Sequence, residues 1–167
     1  MYPGLIEKLE KQNKEEREGR TFRDDIKEVE YREAPMTEDK IAQRYDEGMK
    51  RVTTMENMAL EIYTKVQFMS REEILKEINS RCLYYMDECI NEVKTIDSLR
   101  LPMAFHRFDE KYIEYFELRK QLFLVVAKKV KEKSTQYDNQ IISLDKEIVA
   151  TQRELLILSA QIDRGDF

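Results

Sequence analysis

The chain predicts an all-α fold, and within that class a long antiparallel helical hairpin of coiled-coil type with an extended N-terminal arm. Three observations carry this expectation. Glycine and proline nearly vanish after Pro35, with only Gly48 and Pro102 between Met36 and Arg164. Glycine breaks helices through backbone entropy and proline through its missing N–H, so their absence favours long uninterrupted helices. Two stretches also place apolar side chains at alternating steps of four and three, the heptad signature. Finally, the 167 residues are 41% hydrophobic and 38% charged, a balance that suits long packed helices better than a sphere.

Residues 1–36 read as a separate charged arm, with 8 basic and 10 acidic side chains. Phe22, Ile26 and Val29 recur there at i, i+4 and i+7, a short amphipathic segment that can dock on a partner. The helical region is expected over 37–165. Thr37 is a good N-cap, Glu38 and Asp39 suit the positive end of the helix dipole, and Met36 with Ile41 forms a hydrophobic staple. The first seam then runs through Ile41, Tyr45, Gly48, Val52, Met55, Ala59, Ile62, Val66 and Met69. It breaks at Ser70, where Ser70 and Glu73 fit a capping box and predict a kink or a fresh helix start.

The second helix carries Leu75, Ile78, Cys82, Tyr85 and Cys89 on one stripe, then polar Glu92, then Ile96 and Leu99. Ile74, Met86, Ile90 and Val93 lie beside that stripe, so the apolar face is wide. Residues 97–102 are the expected turn, with Pro102 placed to start a helix that it cannot continue. The third helix opens broad and aromatic through Phe105, Phe108, Tyr112, Ile113, Tyr115 and Phe116. After a polar stretch at 128–136, a clean seam resumes at Tyr137, Ile141, Leu144, Ile148, Thr151, Leu155, Leu158 and Ile162. Gly165 is the expected stop.

The two seams mirror one another about the Pro102 turn. Ile41 pairs with Ile162, Tyr45 with Leu158, Val52 with Thr151, and so on to Val66 with Tyr137, every pair summing to 203. On the flanks Arg51 then faces Glu154 and Arg44 faces Gln161. Nearer the turn the register slips by two, which predicts a kink near Ser70 on one arm and Lys131–Ser134 on the other. A compact four-helix bundle folded back near Ser70 and Ser134 is the alternative architecture. A parallel homodimer of the last helix is disfavoured, because its flanking positions Asp138, Gln140, Asp145, Glu147, Gln152 and Glu154 offer no cation.

Function is bounded mainly by what is missing. No segment is basic enough to track a phosphate backbone, and net charge is −5, so nucleic acid is not an expected partner. The longest apolar run, Leu122–Ala127, is far too short to span a bilayer. Met1–Arg20 is densely charged and unlike a signal peptide, and Cys82 and Cys89 read as two small core thiols, so an intracellular, cytoplasmic and reducing setting is expected rather than secretion. The single histidine, His106, has no Glu-x-x-His or Cys–His spacing around it, and no glycine-rich phosphate loop exists. A triad of Ser98, His106 and Asp109 can be composed but has no supporting pattern, and His106 is expected as a solvent-facing residue or one near the N-terminus of its helix.

No cofactor and no enzymatic activity are expected. The sequence instead points to a structural or adaptor subunit that binds proteins, or a second copy of itself, through the arm and the turn-proximal half. The alternative is a compact bundle that sequesters one target. The residues expected to make contact are Phe22, Ile26 and Val29 on the arm, and Tyr84, Met86, Ile90, Phe105 and Tyr115 near the turn, where tyrosines anchor interfaces.

Overall fold

Four helical rods joined by short reversals account for Met36–Phe167, the part of the chain that the computed structural model describes. Residues 39–167 form one compact unit. The first rod is α1, Glu38–Leu60, continued by α2, Ile62–Lys65, and a 3-10 turn at Val66–Phe68. The second begins with α3, Arg71–Glu77, passes through a π-helical turn at Ile78–Cys82, and ends as α4, Leu83–Asp97. The third is α5, Met103–Glu132, and the fourth is α6, Asp138–Asp163. Among the described residues there is no strand, and the fold is all-α as expected.

Several boundaries follow from the capping residues. Ser70 Oγ accepts from the Glu73 N–H at 3.1 Å, and Glu73 Oε2 accepts from the Ser70 N–H at 2.8 Å, the predicted capping box. Pro102 is extended at the N-cap of α5. Gly165 has φ 77° and closes α6 with two bonds, Gly165 N–H to the Ile162 carbonyl and Asp166 N–H to the Gln161 carbonyl, both at 2.9 Å. That pair is a Schellman motif, which satisfies carbonyls the helix end leaves free.

The long hairpin is corrected. Ala59 O lies 3.4 Å from Cys82 Sγ, and Val52 O lies 3.5 Å from Cys89 Sγ. Glu61 pairs with Arg81 at 2.9 Å. These contacts run in opposite order along the two rods, so α1 packs antiparallel on α4 and the chain reverses fully between Lys65 and Arg71. In an arm that merely kinked, Ala59 and Cys82 would stand about 35 Å apart along the axis. A second full reversal follows α5, where the ion pairs Lys129–Asp138 and, at 2.9 Å, Lys111–Glu154 bring α6 back along it. The fold-back weighed as the alternative is the arrangement that forms. Its charge partners change accordingly. Arg44 and Arg51 both donate to Glu92 Oε1, at 2.9 and 2.8 Å, and Glu154 belongs to Lys111.

Neither reversal contains glycine or proline. The first is made by the 3-10 turn and the Ser70 cap. The second is made by Lys133, whose φ of 51° and ψ of 40° place it in the left-handed region, a conformation that glycine usually supplies at this position. A lack of breakers therefore marks helix-rich sequence without marking where helices stop.

The approach of α1 to α4 is close because small residues line it. A Cβ on Gly48 would lie 2.4 Å from Ile96 Cγ2 and 2.9 Å from side-chain atoms of Arg44 and Glu92. Ala59, Cys82 and Cys89 continue this narrow contact, all fully buried. The wide faces near Pro102, which a two-helix hairpin leaves uncovered, are closed by the fold-back: Phe116, Phe123, Val93 and Met86 are in the core. One position of the expected stripe is misplaced. Met86, not Tyr85, is fully buried, Cys89 and Ile96 stay in the core as expected, and the buried set of this rod is Ile78, Cys82, Met86, Cys89, Ile90, Val93 and Ile96.

Candidate functional site

Where α4 ends and α5 begins, a polar cluster sits at the end of the core. Asp97 is the last residue of α4, His106 and Asp109 lie in the opening turns of α5, and Tyr45 reaches across from α1. Asp109 is wholly buried. Its Oδ1 accepts from the Tyr45 hydroxyl at 2.8 Å, while Oδ2 meets no donor. Asp97 is the neighbouring acidic group, and its Oδ1 lies 2.7 Å from His106 Nδ1.

Burial pushes the Asp109 carboxyl up to about 7, the nearby Asp97 carboxylate pushes it the same way, and the Tyr45 hydrogen bond and His106 oppose the shift. Two facing carboxylates are both acceptors, so they bond only through a proton. A proton on Asp109 gives its second oxygen a donor role toward Asp97. The hydrogen bond to Asp97 also raises the pKa of His106, favouring an imidazolium that balances the charge of Asp97. Asp97, His106 and Asp109 are the one group among the described residues whose ligand atoms all lie within 4.8 Å of one another, close enough to share a cation. Protons at Asp109 and His106 answer the same electrostatic need. The Tyr45 hydroxyl is itself pushed upward by burial and by Asp109, which keeps it a donor.

The composed triad does not assemble. Ser98 Oγ donates to the Thr95 carbonyl at 2.6 Å, and the hydrogen bond of the imidazole goes to Asp97. A second polar group sits at mid-bundle, where Glu56 accepts from Tyr115 at 2.6 Å and Tyr112 at 3.2 Å. The Arg119 Nε–H donates to the Tyr115 oxygen at 3.1 Å. These tyrosines are spent inside the chain.

The contact residues expected from sequence divide three ways. Phe22, Ile26 and Val29 lie outside the described residues. Tyr84 is exposed, with its ring against Tyr85, and Phe105 is half-buried between Tyr45 and Phe167, at ring-centroid distances of 5.2 and 5.8 Å. Met86, Ile90 and Tyr115 are corrected: all three are core, Met86 and Ile90 because the fold-back covers the wide apolar face of α4 and Tyr115 because its hydroxyl is bonded by Glu56 of α1.

The surface left apolar is elsewhere. On α6 the seam residues Leu144, Ile148, Thr151 and Leu155 are buried, and a second stripe faces outward. Ile142 is 51% exposed, Val149 45%, Leu156 72% and Ile157 61%. Ile142, Val149 and Leu156 stand seven residues apart, so they align along one side of the helix. Ile142, Val149 and Ala150 line a shallow groove with Asp145, Lys146 and Arg153. The seven-residue spacing of Ile142, Val149 and Leu156 was present in the sequence, beside the longer seam that periodicity assigned to the core. No described helix is long and apolar enough to cross a membrane. Comparison with protein-family models, with curated proteins and with solved structures finds no match.

Proposed function

We propose that this protein is a non-enzymatic adaptor or structural subunit that docks on protein through the outward face of α6. The observation that carries this reading is the exposed Ile142–Val149–Leu156 stripe on a helix whose opposite side is already buried in the core. Single exposed apolar residues are ordinary, whereas an aligned set marks an interaction surface. A helix-to-helix contact fits best, since the stripe is straight and its flanks are charged. The polar cluster around Asp109 serves the fold in this reading, locking the α4–α5 turn against α1.

The test compares capture of binding partners by the full chain and by a Val149→Glu, Leu156→Glu variant. Both positions are exposed, so the variant keeps its helical circular dichroism. Loss of a specific partner from the variant supports docking through α6. Equal capture by both chains would sink the reading. The folded-back core favours a second reading, a compact bundle that sequesters one target. Light scattering on the complex separates them: a closed one-to-one complex fits sequestration, and a larger assembly fits an adaptor.

A further inference from the structure

We infer that Asp97, His106 and Asp109 form a binding site for one divalent transition cation of the zinc type, held between the end of α4 and the opening turns of α5. The inference is independent of the α6 docking surface and concerns the polar cluster at the end of the core. Each of the three residues offers one ligand atom, and these atoms all lie within 4.8 Å of one another. His106 and Asp109 stand three apart on α5, so they share one face of that helix. The Pro102 turn brings Asp97 to the same place.

Proximity alone does not make a site, because acidic side chains gather on many surfaces. The deciding feature is Asp109. It is wholly buried, its Oδ1 is taken by the Tyr45 hydroxyl at 2.8 Å, and no donor of the protein reaches its Oδ2. Buried polar atoms in folded proteins are nearly always partnered, and an exception calls for an ion or a proton. A divalent cation supplies that partner and carries the two positive charges that two carboxylates require, with the imidazole neutral. The Tyr45 bond holds the carboxylate in one orientation, the part that an outer hydrogen bond plays around many metal ligands. The Tyr45 ring is itself seated edge-on against Phe105, with centroids 5.2 Å apart.

The ligand set selects the metal. One imidazole nitrogen and two carboxylate oxygens suit Zn2+, which accepts both donor types at about 2.0–2.2 Å. Mg2+ and Ca2+ prefer oxygen alone. His106 Nδ1 and Asp97 Oδ1 are 2.7 Å apart, a hydrogen-bond distance, whereas two ligands of a tetrahedral zinc stand about 3.3 Å apart. Cation entry therefore replaces the proton between them, parts the pair by about half an ångström and releases the proton to solvent. The side chains of His106 and Asp97 are 27% and 30% exposed, so the cation enters from their side and a water completes its shell. Bound there, it ties α4 to α5 and, through Tyr45, to α1.

The experiment is isothermal titration calorimetry of ZnCl2 into the full chain after treatment with a chelator and dialysis, with MgCl2 titrated in parallel. Wild type binds one Zn2+ per chain and ignores Mg2+ at the same concentrations. Tyr45→Phe weakens Zn2+ binding by roughly tenfold or more, and His106→Gln and Asp109→Asn, which remove ligands, weaken it by at least about 100-fold. Asp145→Asn changes an exposed carboxylate of α6 and leaves binding as in wild type. Asp109→Asn keeps the shape of the side chain, and circular dichroism checks that it is folded, so its loss of binding is not a loss of structure. Zn2+ also raises the melting temperature of wild type and not that of Asp109→Asn. A wild type that does not bind Zn2+ overturns the inference, as does binding indifferent to His106→Gln and Asp109→Asn. Equal binding of Mg2+ and Zn2+ overturns it too, because the imidazole would then not be a ligand. None of these outcomes bears on docking through α6.

Discussion

Replacing Asp109 by Asn should make this protein less sensitive to pH and more stable at neutral and alkaline pH. Asn keeps the shape of the side chain, its oxygen still accepts from the Tyr45 hydroxyl, and its amide supplies the donor toward Asp97 that the carboxyl supplies only when protonated. The carboxyl of Asp109 is pushed from its ordinary 3.8 up to about 7, chiefly by burial. Between those two values the folded chain holds a proton that the unfolded chain has released, so stability falls as pH rises across that window. At about 1.4 kcal/mol for each unit, and discounting for coupling to Asp97 and His106, the loss is about 2–4 kcal/mol. His106 adds a smaller change of the same sign, because its raised pKa gives stability that is complete below its ordinary 6.5 and disappears as pH rises through the folded value. Urea denaturation followed by circular dichroism, at pH 5, 6, 7 and 8, measures both chains. Wild type should weaken steadily from pH 5 to pH 8 and Asp109→Asn much less, the curves separating by at least about 2 kcal/mol at the top of the range. Parallel curves for the two chains would refute the assignment of a shared proton to this site.

Other consequences concern packing and helix ends. Gly48→Ala should cost about 1–2 kcal/mol despite the better helix propensity of alanine, because the new methyl meets the buried, branched side chain of Ile96; a raised melting temperature would contradict the close approach of α1 to α4. Lys133→Gly relieves a left-handed side-chain-bearing residue and should stabilise by about 0.5–1 kcal/mol in the same denaturation assay. Ser70→Ala removes one half of the capping box and should cost about 1 kcal/mol, with increased hydrogen exchange expected in the first turn of α3. Cys82 and Cys89 are free and buried, their thiols pushed up to about 11 and about 12 mainly by burial. Neither should react with an aromatic disulfide reagent in the native state, and both should react once urea unfolds the chain.

Much of the local structure was legible in the residues because it depends on short-range chemistry. The Ser70–Glu73 box, the start of α5 after Pro102 and the stop at Gly165 are each fixed by one or two side chains and the backbone groups beside them. The α6 seam was equally clear, since Leu144, Ile148, Thr151 and Leu155 follow one period without interruption. The candidate sites were much less legible. Asp109 sits among aromatic residues on a broad amphipathic face, and nothing in its spacing says that Tyr45, 64 residues away, will meet it. Glu92 carried a readable clue: it interrupts an apolar stripe, and Arg44 and Arg51 stand seven apart on another helix, ready to share one acidic partner.

The sequence alone determined that this protein is helical, where its capped helices begin, and which positions of α1 and α6 turn inward, because periodicity and capping act within a few residues of one another. Tertiary structure alone decided that the chain reverses twice more than its glycines and prolines announce. A kinked helix and a tight reversal differ in the conformation of a few residues such as Lys133, and long-range burial makes the choice. Folding back covers the wide aromatic faces beside Pro102, which a two-helix hairpin would leave in water. The same choice buries Met86, Ile90 and Tyr115, brings Asp97, His106, Asp109 and Tyr45 together, and leaves Ile142, Val149 and Leu156 as the aligned outward stripe of α6.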